Sequence, residues 1–370
     1  MKKGFLALET GHIFEGQLIG TEKEAAGEVV FNTSMTGYQE IVTDPSYAGQ
    51  IVTFCYPLIG NYGVNHVDNE STKLNLSGII IGELCETPSH HLSETSFNEQ
   101  LKLAGISGLA GIDTRSLVKL IRAEGTVKGH IVAEPPQTDE LNSKPYWQTP
   151  FMEKSFHTFW VDKVAGNKSA FYQGNGPHVV LVDCGYKKSI LDALLNKGCS
   201  VRVVPYSTTF DEINKMKPDG IVISNGPGDP LALSGYLNEF KKISSVFPTL
   251  GICLGHQLLA LAYGATTKKL KFGHRGGNHP VKDLVTGKVY MTPQNHGYVV
   301  TNENLKKTGF DVTHINVNDR SIEGLKHSFY PIQTIQFHPE SHPGPSDTEY
   351  LFQQFIQQLV QSGDMNYAIT

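Results

Sequence analysis

From residue 178 onward the apolar positions come in short solid blocks. Residues 179–183 (Val-Val-Leu-Val-Asp) form an apolar run of strand length, and similar runs recur at 201–205, 220–224 and 247–253. Between the blocks the spacing turns helical. Ile190, Leu191, Leu194 and Leu195 share one face of a segment, 188–196, that stops before Gly198. Further helices are predicted at 211–216 and 236–246, and the run 257–263 leads out of the last strand as another. Strands buried on both faces and alternating with helices predict a parallel sheet covered on both sides, a doubly wound α/β domain over 178–370. Sites in such sheets gather at the carboxyl ends of the strands. Three loops fall at those ends: Asp183–Tyr186, Asn225–Pro230 and Cys253 with its flanking glycines.

The first part of the chain has another texture. Short β-type runs at 27–31, 50–54 and 78–82 are broken by turn residues at 44–46 and 60–63. Two helices are predicted, 96–103 and 113–123; in the second, Asp113 or Thr114 can cap the start and Leu117, Leu120 and Ile121 share a face. Residues 1–133 therefore read as a mainly-β domain. Residues 134–177, punctuated by Pro135, Pro136, Pro145, Pro150, Gly174 and Gly176, read as a linker with short elements.

With 370 residues, two domains are expected. A formal net charge of -5 and the absence of a long Lys/Arg block argue against a nucleic-acid partner. No apolar run approaches the roughly 20 residues of a membrane helix. The amino-terminal residues acquire an acid, Glu9, before a signal-like core develops. Five scattered cysteines, without a CxxC pair, fit a reducing cytoplasm rather than a disulfide framework.

The chemistry centres on Gly251-Ile-Cys253-Leu-Gly255-His-Gln257. A cysteine between glycines, at a strand-to-helix junction, has the layout of a nucleophile elbow. A helix N-terminus favours the thiolate, the attacking species. A free thiol has a pKa of about 8.5 and needs a base. His338, after the strand-like run 332–337, can take the proton, and Glu340 can orient the imidazole across the stiffening Pro339. The rival use of His338, Glu340 and His342 is a metal site, but Pro339 and Pro343 disfavour the helix that an HExxH arrangement requires. The turn Asn225–Pro230 lacks the Gly-Lys-Ser/Thr of a P-loop; an amide near Gly228, with that of Leu254, could form an oxyanion hole. Residues 293–298 (Pro-Gln-Asn-His-Gly-Tyr) read as a polar turn able to grip an amino acid, with His256 and His296 structural.

Taken together, the cysteine elbow, the Asn-Gly-Pro-Gly-Asp-Pro turn and Phe337-His338-Pro339-Glu340 resemble the class I (triad) glutamine amidotransferases over residues 178–361. Residues 31–47, 56–63 and 111–115 further resemble the opening domain of carbamoyl-phosphate synthetase small subunits. So do 271–280 and 294–298 in the second half. The resemblance implies that Cys253, His338 and Glu340 form a triad hydrolysing glutamine through a thioester. It implies that Ser46, Gly226, Gly228, Leu254, Gln257, Asn295, Gly297 and Tyr298 hold the glutamine. Ammonia would pass to a large subunit that makes carbamoyl phosphate from bicarbonate. That partner would bind ATP and Mg, leaving this chain without a cofactor or metal. Tyr298 stands where the family often has Phe, and Arg275 where a second His is frequent. Amidotransferases of GMP, CTP or anthranilate synthesis share the triad but lack the segment 32–38. A non-catalytic binding module would not need an intact Cys253, His338 and Glu340.

Overall fold

A computed structural model describes residues 2–367 and divides the chain into two compact units, Met1–Trp160 and Val161–Thr370. The first holds strands β1 (Lys3–Leu8), β2 (Ile13–Gly20), β3 (Ala25–Asn32), β4 (Gln50–Phe54), β5 (Leu58–Ile59), β6 (Gly78–Ile80), β7 (Glu83–Leu84), β8 (Ser107–Ala110) and β9 (Val127–Val132). Seven of them close a barrel in the order β1-β2-β8-β6-β4-β3-β9, while β5 pairs with β7. Closure satisfies every edge. The buried side chains Val30, Val52, Phe54, Ile79 and Phe97 belong to one core cluster. The helix Phe97–Ala104 starts at a capping box in which Ser96 and Glu99 each accept from the other's backbone. Helix Thr114–Glu124 is capped by Asp113 and buries Leu117 and Ile121.

The segment 31–47 leaves β3, forms the helix Tyr38–Thr43 and ends in the turn Pro45–Tyr47. Its polar groups are largely committed to that path. Asn32 Nδ2 donates to the Tyr47 hydroxyl at 2.8 Å, and the Tyr62 hydroxyl accepts from the amides of Gly37 and Tyr38. Ser46 is buried and its amide donates to Asp44 Oδ1 at 2.8 Å. Residues 134–160 carry three short helices, Thr138–Leu141, Lys144–Trp147 and Pro150–His157.

The second unit is a ten-stranded sheet. Its strands are β10 (Ala170–Tyr172), β11 (His178–Asp183), β12 (Ser200–Pro205), β13 (Gly220–Ile223), β14 (Thr249–Ile252), β15 (Thr267–Asp283), β16 (Val289–Val300), β17 (Phe310–Asn316), β18 (Ile322–His327) and β19 (Ile332–Ile335). The order is β10-β12-β11-β13-β14-β19-β18-β17-β15-β16. The run β12-β11-β13-β14-β19 is parallel, as the alternating pattern predicts. Ile190 and Leu194 of helix Lys188–Asn196 join Val179, Leu181, Val201, Phe352 and Phe355 in one cluster, so this helix and the carboxyl-terminal helix Tyr350–Tyr367 share a core with the sheet. Beyond β19 the sheet continues antiparallel through β18, β17, β15 and β16.

That extension corrects one sequence reading. Residues 293–298 are not a turn; they lie inside β16, with Asn295 opposite Arg275 and His296 opposite His274. Pro293, Asn295 and Gly297 favour turns in isolation, but the long ladder with β15 overrides them. No helix among the described residues is long and apolar enough to cross a membrane.

Candidate active site

Cys253 stands between β14 and the helix Leu254–Ala262 with φ 54° and ψ -102°. This backbone is strained for a side-chain-bearing residue and persists only where its surroundings enforce it. Here the enforcement is visible. The Cys253 amide donates to Ile335 O at 2.8 Å, and the Gly255 amide to Ser224 O at 3.0 Å. A Cβ at 255 would lie 2.2 Å from Ile223 O, and one at 251 would lie 2.8 Å from Gly255 O. Both flanking residues are therefore glycine because neighbouring backbone fills the space.

The sulfur is buried, with Cys253 2% exposed. It donates to Asn295 O at 3.7 Å and accepts from Gln336 Nε2 at 3.7 Å. His338 Nδ1 lies 2.6 Å from Glu340 Oε1. A carboxylate only accepts, so Nδ1 carries a proton toward Glu340, and Nε2 is the ring nitrogen left to exchange a proton with the sulfur. Burial opposes charging this ring, yet the Glu340 carboxylate and the Cys253 sulfur outweigh it and raise its pKa to about 10. Both the charge of the Cys253 sulfur and a hydrogen bond to it contribute to that rise, so ring and sulfur share a proton.

Sequence reasoning missed Lys187. Its Nζ donates to Glu340 Oε1 at 3.1 Å and to Ser341 O at 2.6 Å, and its side chain is 3% exposed against 0% for Glu340. Burial alone would raise the Glu340 pKa; Lys187 and then His338 reverse this and lower it to about 2. The carboxylate therefore stays charged beneath the imidazole. A lysine just past a strand end, directly before a helix, is a weak signal in a chain with 31 Lys and Arg residues. His342 is exposed, so the alternative trio of His338, Glu340 and His342 does not share one buried environment.

The resemblance-derived glutamine residues of this unit fall in two groups. Gln257, Asn295 and Tyr298 are joined to the sulfur by hydrogen bonds: Asn295 directly, and Gln257 through Gln336, while also donating to Tyr298 O at 2.8 Å. Gly297 lies between Asn295 and Tyr298 on β16. Gly226 packs against Leu254, since a Cβ there would stand 2.9 Å from Leu254 Cδ2. Gly228, at φ +90°, faces open space. Ser46 belongs to the first unit. His256 is buried against Thr334 Oγ1 at 2.8 Å, and burial drives its pKa down to about 3. His296 Nδ1 contacts Tyr298 O at 2.9 Å.

Beside this site His274, His296 and Glu323 bring potential ligand atoms within 4.8 Å of one another. The group is built as an ion-pair cluster. His274 Nε2 lies 2.9 Å from Asp319 Oδ2 and its Nδ1 lies 3.6 Å from Glu323 Oε1. Burial resists the charge, but the two carboxylates raise the His274 pKa to about 9.

A cysteine elbow on a parallel sheet, facing a carboxylate-backed histidine, defines a class of enzyme, and residues 180–358 match the class I glutamine amidotransferase family. Residues 6–131 match the carbamoyl-phosphate synthase small chain domain. A carbamoyl phosphate synthase small chain of Listeria monocytogenes is 52% identical, over 97% of each chain. The pyrimidine-specific small chain of Bacillus subtilis is 49% identical over 96% of this chain and 95% of its own. The arginine-specific small chain of Halalkalibacterium halodurans is 46% identical over 98% of both. The chain belongs to the carbamoyl phosphate synthase small chains.

Proposed function

We propose that this chain is the glutaminase of its synthase and that Cys253, His338 and Glu340 perform the hydrolysis. The thiol's proton rests on His338 Nε2, and the sulfur attacks the side-chain carboxamide carbon of glutamine as a thiolate. The tetrahedral adduct collapses when the ring returns that proton to the leaving nitrogen, releasing ammonia and leaving a γ-glutamyl thioester. Water then attacks; the ring takes its proton, and sulfur departs as glutamate is released. Glu340, held ionised by Lys187, keeps the ring oriented through both steps. Amides near Gly228 and Leu254 receive the oxyanion, and Gln257, Asn295, Gly297 and Tyr298 hold the amino acid. Ammonia goes to a large subunit, which carries the ATP and Mg chemistry.

The observation that carries this reading is the strained elbow of Cys253 beside His338, whose proton affinity is raised by its hydrogen bond to an ionised Glu340. The test is reconstitution with the large subunit. Cys253→Ser is expected to abolish glutamine-dependent carbamoyl phosphate synthesis while synthesis from added ammonia continues. Glutamine-dependent synthesis that survives the substitution removes Cys253 from the chemistry.

A further inference from the structure

Gln336 is fully buried, just after β19 and two residues before His338. Its amide touches the Cys253 sulfur, and the orientation of that amide can be derived. The chain of contacts starts at Tyr298 O, a peptide carbonyl that only accepts. Gln257 lies 2.8 Å from it through Nε2, so the Gln257 NH2 group must face this way. The same Nε2 lies 3.0 Å from Gln336 Oε1. Reversing Gln257 would set two carbonyl oxygens against each other; reversing Gln336 would set two NH2 groups against each other. Gln336 Nε2 is therefore the end aimed at sulfur, at 3.7 Å.

Besides the His338 ring, two groups flank the sulfur and act oppositely on its charge. Asn295 O accepts from the neutral thiol at 3.7 Å and would face an anion with lone pairs. Gln336 N–H donates, and a donor binds an anionic acceptor more strongly than a neutral one. Of these two contacts, the Gln336 one strengthens as the proton leaves. With the amide buried and its oxygen already engaged, no rotation can undo that preference.

We propose that Gln336 is a further catalytic residue, donating a hydrogen bond to Cys253 Sγ that stabilises the thiolate, with Gln257 the positioning residue that aims it. This rests on Cys253 being the nucleophile. It also gives Gln257 a task separate from holding substrate: a residue bonded to the Tyr298 carbonyl ties the state of β16 to the sulfur.

The experiment measures the pH profile of Cys253 alkylation by iodoacetamide in the reconstituted complex, quantified on the Cys253 peptide by mass spectrometry. Gln336→Met keeps the length and removes the donor. Its alkylation midpoint is expected to move up by about one pH unit, the worth of one hydrogen bond to a charged group. Glutaminase kcat at pH 7 should fall on the order of tenfold, with KM for glutamine moved less than about twofold. Gln257→Met should shift the midpoint in the same direction by less. It also serves if Gln336→Met does not fold. An unmoved midpoint in a folded variant overturns the assignment, because loss of packing alone would not titrate the sulfur. If Cys253→Ser still hydrolyses glutamine, the nucleophile reading fails. If it is inactive and the Gln336→Met profile matches the parent, only the role of Gln336 falls.

Discussion

Lys187 and Glu340 illustrate how one buried charge makes another usable. A carboxylate with 0% side-chain exposure would ordinarily take up a proton, and a protonated Glu340 could not hold an imidazolium. Lys187, 3.1 Å away, supplies the opposite charge within the same dry space. Removing one member of such a pair strands the other. Lys187→Met is therefore expected to lower stability by about 3 kcal/mol and glutaminase kcat/KM by 10- to 100-fold. The double variant Lys187→Met with Glu340→Gln should regain most of the stability, since no lone charge remains, yet stay slow for want of the carboxylate. Urea melts read the first effect and steady-state assays the second. Activity restored in the double variant would mean that the Glu340 carboxylate is not needed for turnover and that Lys187 only offsets its charge.

At the scale of elements, the antiparallel extension is clamped by His274 on β15, which meets Gln294 on β16, Glu323 on β18 and Asp319 in the turn between β17 and β18. His279 and His296 also face it, and burial together with the His274 charge lowers both their pKa values. The folded pKa of His274, about 9, exceeds its unfolded value, so its stabilisation is complete below about pH 6.5 and is lost as pH rises through 9. Because Asp319 is partly solvated, the loss is expected to be roughly 1–2 kcal/mol. Urea midpoints of the parent should fall between pH 6.5 and 9, and His274→Gln should flatten that decline. An equal slope in both proteins would assign it elsewhere. This extension is also where sequence patterning was least informative. The parallel strands announce themselves as solid apolar blocks because both faces are covered, and the elbow because Gly251 and Gly255 admit no side chain. β15 and β16 mix Lys, His, Gly and Pro with few apolar positions, and their pairing is held by register and buried ion pairs, which have no local signature. Lys187 stayed hidden for the same reason, since its partner lies 153 residues away.

For the whole molecule, the question is what becomes of the ammonia. In neutral water it is mostly protonated, and an ammonium ion has no lone pair with which to attack a carbonyl or phosphoryl centre. A glutaminase that emptied its product into solvent would feed its partner poorly and waste glutamine whenever the partner was idle. Membership of the small chains of carbamoyl phosphate synthase implies a large-subunit partner. The isolated chain is accordingly expected to hydrolyse glutamine at least tenfold more slowly than the complex, the equivalent of about 1.4 kcal/mol in the barrier. Within the complex, synthesis from added ammonium should climb with pH as the free base becomes available. If the ammonia is handed over directly, before it meets solvent protons, synthesis from glutamine should follow a flatter profile. Parallel pH profiles of carbamoyl phosphate formation from the two nitrogen sources check this. If both climb alike, and an ammonia-consuming enzyme added to the mixture suppresses synthesis from glutamine, the nitrogen crosses through bulk water and direct delivery is wrong.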